Sequence, residues 1–210
     1  NLVIDVLGEN AEFDQLMSRI FEHPNIKSLL EMLHGDRYKV TQVNIRQVLS
    51  GDPGLNFHQD TPGETGMSIL LKECYDNEGT TVVIKGSHHW PFSIRELFVY
   101  PRVLVNLISK KWFSGANGKA GDIFFFINQT WHARPAFKKA GSTSSILISI
   151  FGSEGEYRIH KMPEEKLDSM PPTIKDLIDH RTGLTSMSGG LVKINRSLLT
   201  EGIMSDVIYK

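Results

Sequence analysis

The chain contains a single cysteine, Cys74, so no disulfide can form within it. That usage suits a reducing cytosol, and a cytoplasmic protein is the expectation. No apolar run approaches the roughly 18 residues that a membrane span requires. The opening residues Asn1–Asp5 carry no basic stretch of the signal-peptide kind. Charge of one sign is also missing. Lys and Arg total 23 against 24 Asp and Glu, a net charge of −1. No general field is therefore present to draw nucleic acid or an anionic membrane. Internal repeats and low-complexity segments are absent. Strands and helices do not alternate along the middle of the chain, which argues against a parallel Rossmann-type sheet.

What is present fits one soluble domain spanning 1–210. Hydrophobic residues make up 40% of the chain and charged residues 22%, enough for a full core. Phe13, Leu16, Met17, Ile20 and Phe21 recur at helical spacing. Pro24 stands where a second helix can begin, Ile26, Leu29, Leu30 and Leu33 form its stripe, and Gly35 is placed to stop it. From about Tyr38 to Gly152 the pattern is of strands. Val43, Ile45 and Leu49 alternate with Gln42, Arg46 and Ser50 before the turn Gly51-Asp52-Pro53-Gly54. Met67–Lys72, Thr81–Ile84, Ile123–Ile127 and Ser145–Phe151 follow as short β-rich runs. Many short strands between glycine-rich turns predict a mainly β sandwich or jelly roll over 38–152. Residues 92–118 break the rhythm. They read as an insertion or lid, with Ser114–Gly118 as loop. Residues 153–210 read as a helical appendage, with helices at Pro163–Met170 and Thr173–His180.

One tripeptide carries chemistry. His58 and Asp60 are two residues apart, so a strand or its end presents both on one face. His132, beyond the strand 121–128, approaches from a second direction. Two imidazoles and a carboxylate are the ligand set of the facial triad that binds non-haem Fe(II) and leaves the opposite positions open. A bare His-x-Asp is common, and a surface histidine hydrogen-bonded to an aspartate is the plainer reading of the pair alone. His88 and His89, beside Trp90, read as turn residues, and Phe124–Phe126 and Trp131 as packing. Cys74 has no partner base around it that would make it a nucleophile.

Order and spacing together make a more specific pattern. Asn56-Phe57-His58-Gln59-Asp60 resembles the His-x-Asp segment of the phytanoyl-CoA dioxygenase family. The run Gly79–His88 resembles that family's strand ending in Pro-Gly-Ser-His, with Lys85 in place of the proline. Gly121-Asp122 and the strand after it, leading to Trp131-His132, resemble its approach to the distal histidine. The resemblance covers about residues 24–152. It implies a double-stranded β-helix, a cupin-like jelly roll, flanked by N-terminal and C-terminal helices. It also implies Fe(II) on His58, Asp60 and His132, 2-oxoglutarate as co-substrate, O2, and C–H hydroxylation of a small molecule.

The chain departs from the family at one point. An arginine usually follows the distal histidine by roughly ten to twelve residues and holds the far carboxylate of 2-oxoglutarate. Here that window reads Ser142-Thr143-Ser144-Ser145. A buried carboxylate still needs a cation. Arg134 and Lys72 rank ahead of Arg46 as replacements, and Ser144 and its neighbours offer hydroxyls. The gap also leaves room for two competitors: a cupin-like metalloenzyme that does not use 2-oxoglutarate, and a jelly-roll binding module without turnover. Asp60 argues against the related halogenases, in which the carboxylate position is vacated for chloride. Arg95, Arg102, Lys110, Lys111 and Lys119 in or beside the insertion favour an anionic substrate. The tail is assigned either to the barrel mouth or to a dimer contact.

Overall fold

In the computed structural model, residues 2–3, 6–60, 63–75, 79–90, 113–152 and 164–178 are described, with the backbone alone of 157–161, 180–181 and 190–192. The insertion expected over 92–118 falls outside the described residues up to 112, as does the tail beyond 192. In chain order the elements are β1 (Leu2–Val3), α1 (Ala11–Glu22), α2 (Pro24–His34), β2 (Lys39–Leu49), β3 (Leu55–His58), β4 (Glu64–Leu70) and β5 (Val82–Ile84). After a 3-10 turn at Ser87–His89 come β6 (Phe113–Gly115), β7 (Ile123–Ile127), β8 (His132–Arg134), β9 (Ser142–Phe151) and β10 (Tyr157–Lys161). The short helices α3 (Glu164–Ser169) and α4 (Pro172–Leu177) follow, then β11 (His180–Arg181) and β12 (Gly190–Val192).

The chain divides into two compact units, Asn1–Leu2 with Ile45–Leu147 and Val3–Asn44 with Ile148–Lys210. In the second unit both helices begin and end where local chemistry dictates. The Asn10 side chain caps α1 by accepting the Phe13 N–H at 2.9 Å, satisfying one of the orphan donors of the first turn. Met17 and Phe21 of α1 are buried, and α1 packs on α2 and α4. Pro24 occupies the first turn of α2, and Gly35 ends it at a φ of +76°. The C-terminal region holds the two short helices but also pairs β10 with β11 and β12, strands that periodicity alone did not indicate.

The first unit holds the four-stranded antiparallel sheet β3-β8-β5-β6 and, with parts of β2 and β9, the β4–β7 side of a five-stranded sheet ordered β1-β2-β9-β4-β7. This mainly β, two-sheet arrangement is a cupin-like jelly roll. The expected loop at 114–118 is corrected in part. Phe113–Gly115 forms an edge strand, with Ile84 opposite Phe113 and Val82 opposite Gly115. Backbone pairing outweighs the weak β propensity of Ser and Gly there.

Alternation along the four-stranded sheet separates two faces. Phe57, Val82, Ile84, Trp131 and Ala133 form a buried cluster with Trp90 and Phe113 against it. The neighbours of those residues in sequence, His58, Val83, His132 and Arg134, point the opposite way. A solid apolar layer thus backs the sheet, and its other face is left for chemistry.

The turn before β3 depends on Gly54. Its φ is +87°, and a Cβ there would run into the Arg134 carbonyl oxygen, the Ala136 nitrogen at 2.7 Å and the Pro135 carbonyl carbon at 2.9 Å. All three are backbone atoms that cannot swing aside. Gly54→Ala is expected to cost about 2 kcal/mol or more of stability in urea unfolding. A change within about 0.5 kcal/mol would show that the turn yields.

Candidate metal centre

His58 ends β3 and His132 begins β8. The two strands are antiparallel, with Leu55 opposite Arg134 and His58 opposite His132, and the register shifts between these pairs. Between them Asn56 and Phe57 on one strand oppose Ala133 alone on the other, so the shift is a bulge. It brings both histidines to the same face with ring centroids 4.3 Å apart. Asp60 lies just past the strand. Its N–H donates to the Asn128 carbonyl at 3.0 Å, which fixes the backbone that aims the carboxylate. One carboxylate oxygen is 3.6 Å from His58 Nε2 and the other 3.2 Å from His132 Nε2. Three donor atoms, one from each residue, lie within 4.8 Å of one another.

Each histidine is held by its other nitrogen. His58 Nδ1 meets the Asn56 carbonyl at 2.7 Å, and His132 Nδ1 meets the Thr130 carbonyl at 2.9 Å. A carbonyl oxygen only accepts, so each Nδ1 carries a proton, and Nε2 is the ring atom each histidine presents to a metal. Burial pushes the His58 imidazole below its ordinary pKa, and the nearby charges of His132 and Arg46 push the same way, against the raising pull of the Asn56 carbonyl and Asp60. His58 is therefore neutral at neutral pH. Burial works to raise the Asp60 carboxyl, but its hydrogen bond and proximity to His132, with the help of His58, hold it below the usual carboxylate range. The Phe126 ring stands 4.9 Å from that of His132 and closes one side. Two imidazoles and an ionised carboxylate facing one point are a donor set suited to Fe(II).

The remaining candidates divide. Lys72 is exposed, and its Nζ donates to Ser142 Oγ at 3.0 Å. Ser144 is half-buried in β9, and its carbonyl accepts the Leu71 N–H at 2.9 Å. Arg134 donates to Asp52 Oδ1 at 2.6 Å, and the same oxygen accepts the Gly54 N–H at 2.9 Å. Arg46 reaches from β2 toward β5, where its Nη2 donates to Thr81 Oγ1 at 3.3 Å. Its Nε is buried with no hydrogen-bond partner among the described residues. Burial, then the like charge of Arg134, lower the Arg46 guanidinium to a pKa of about 10, so it stays charged at neutral pH.

Sequence reasoning missed Asn128 and Asp52. Asn128 is buried, donates from Nδ2 to Glu64 Oε2 at 2.8 Å, and anchors Asp60 through its carbonyl. Asp52 was visible only as a turn residue. Its spacing to Gly54 is the usual sign of a side chain bonding its own backbone two residues on, but no local signal indicates Arg134 as its partner.

Among the described residues no helix is long and apolar enough to cross a membrane. A curated relative, dioxygenase aneA of Aspergillus aculeatus, is 24% identical over 207 residues, which cover 88% of this chain. This chain spans 65% of that relative's length. Among solved structures, the non-heme alpha ketoglutarate dependent epimerase SnoN from nogalamycin biosynthesis superposes with a TM-score of 0.59 at 18% identity, over 90% of this chain and 74% of that one. HygX from Streptomyces hygroscopicus, solved with nickel and 2-oxoglutarate bound, gives 0.57 at 8% identity, over 77% and 73%. At such identities the superpositions speak for the fold. The sequence itself matches the family description of phytanoyl-CoA dioxygenase (PhyH) across residues 2–138, well over half its length, and the chain therefore belongs to that family.

Proposed function

We propose that this protein is an Fe(II)- and 2-oxoglutarate-dependent oxygenase that hydroxylates a C–H bond of a small molecule. The observation that carries the reading is the convergence of His58, Asp60 and His132, with both Nδ1 atoms committed to carbonyls and both Nε2 atoms turned toward the Asp60 carboxylate. His58 and His132 would hold the metal from two strands, and Asp60 would add the negative charge that favours a divalent ion. Family membership supports the choice of iron, and the nickel and 2-oxoglutarate in HygX support the co-substrate. Iron and 2-oxoglutarate, when bound, would supply the oxidising chemistry: the substrate, O2 and 2-oxoglutarate would give the hydroxylated product, succinate and CO2. The protein's own part is to aim the ligands, favour the neutral form of His58 and screen one side of the site with Phe126.

SnoN, described as an epimerase dependent on the same co-substrate, favours a second reading in which the C–H bond is broken but no oxygen is retained. Product mass separates the two, since hydroxylation adds one oxygen atom and epimerisation leaves the mass unchanged.

Replacing Asp60 or His132 with alanine is expected to weaken Fe(II) or Mn(II) binding by more than about 100-fold in a chelator-competition titration, while far-UV circular dichroism stays unchanged. Wild-type protein that binds neither metal sinks the reading and leaves the non-catalytic module. Metal affinity should also depend on pH with a definite sign. Protons compete for the imidazoles, so affinity falls as pH falls. The lowered pKa of His58 places the part of that fall due to this residue below the ordinary imidazole range. Incubation of iron-loaded protein with 2-oxoglutarate should yield succinate, and chelating the iron should abolish it. Metal binding without any succinate would favour the cupin-like alternative.

A further inference from the structure

We propose that Arg46 receives the far carboxylate of 2-oxoglutarate, entering from β2 instead of from the strand after the distal histidine. The proposal rests on the 2-oxoglutarate reading above and names the residue that completes it.

Three observations converge on Arg46. The first is its face. In the second half of β2, Asn44 and Val48 are buried while Gln47 and Leu49 are exposed. Arg46 lies between Asn44 and Val48 on the same, inward side.

The second is its place relative to the metal ligands. Thr81, which accepts from Arg46, directly precedes β5, where Val82 pairs with Ala133 and Val83 with His132. Continuing that register by one residue sets Thr81 level with Arg134, two residues along from His132 and on its face. Two residues of strand are about 7 Å. The Thr81 hydroxyl that the guanidinium meets is thus about two strand residues from the level of the distal metal ligand, a span that a five-carbon diacid can bridge.

The third is the charge count. Arg46 and Arg134 are close enough to repel, and among the described residues a single carboxylate, Asp52, serves them. Both of its described contacts at Oδ1 are taken, by Arg134 and by the Gly54 N–H. Among the described residues no carboxylate forms an ion pair with Arg46, and its Nε has no hydrogen-bond partner. A guanidinium carries five donors, and one threonine hydroxyl satisfies little of it. One surplus positive charge with spare donors, largely out of water, is costly to keep unless an anion completes it. A carboxylate held bidentately does so. Arg134 is already spent on Asp52, and Lys72 is exposed beside Ser142.

The test compares two ligands on Mn(II)-loaded protein by titration calorimetry. 2-Oxoglutarate has the far carboxylate, and 2-oxopentanoate has the same chelating end without it. Wild-type protein should prefer 2-oxoglutarate by at least about tenfold, a difference of about 1.4 kcal/mol. Arg46→Met should erase that preference by weakening 2-oxoglutarate alone, with Mn(II) affinity unchanged. Arg46→Lys keeps one charge in place and covers the case in which methionine does not fold. It should weaken 2-oxoglutarate about tenfold and leave 2-oxopentanoate alone. If either folded variant keeps the full wild-type preference, Arg46 is not the cation, and the co-substrate reading survives without it. If wild-type protein binds Mn(II) but shows no preference for 2-oxoglutarate, the co-substrate reading itself fails and this assignment falls with it.

Discussion

The antiparallel pairing of β3 with β8 is the constraint on which the rest depends. It sets His58 against His132, and it does so through a register shift between Leu55 and His58. Side chains alternate along a strand, so a regular ladder would offset the two histidines. The bulge corrects that offset, and a buried apolar layer of Phe57, Trp131 and Ala133 on the opposite face holds the correction in place. Packing and chemistry are thus divided between the two faces of one sheet. The apolar face gives the stability, and the polar face can carry groups that would be costly in a core.

The second feature of the site is an imbalance of charge that the fold tolerates. Asp52 cannot serve Arg134 and Arg46 equally, and the 2.6 Å contact shows which one it serves. Asp52 itself stays ionised. Burial works to raise its carboxyl, but the Gly54 N–H and Arg134 outweigh that and hold it below the ordinary range. Gly54 therefore has two tasks. It makes the turn that starts β3, and its N–H helps keep Asp52 negative. A turn, an ion pair and a metal ligand are connected within a few residues of chain.

Much of this was legible beforehand, and the reasons differ by element. The helices at Ala11–Glu22 and Pro24–His34 are written in local signals, a cap, a proline and a terminal glycine, and those act within a turn. The triad could be read because its three members stand in a recognisable order along the chain. The placement of Arg46 could not. The alternation of Val43, Ile45 and Leu49 set Arg46 on the outward side of β2, yet Leu49 is 44% exposed and Val48 2%. Thr41 and Asn44 are buried beside Val40 and Val43, so the burial pattern changes phase within the strand. A phase change in a long strand shows only when its neighbours are placed. The Arg134–Asp52 pair is likewise a contact across 82 positions with no local mark.

Both histidines are oriented by the same local device. Each gives its Nδ1 proton to the carbonyl two residues earlier in its own segment, Asn56 for one and Thr130 for the other. Neither relies on a side chain that a single mutation could remove. The aim of each imidazole is therefore inherited from backbone geometry and is indifferent to which residue stands at position 56 or 130. Such a site can drift widely in sequence around its ligands and still present the same lone pairs. That gives a physical reason why a fold can persist among proteins sharing as little as 8% identity.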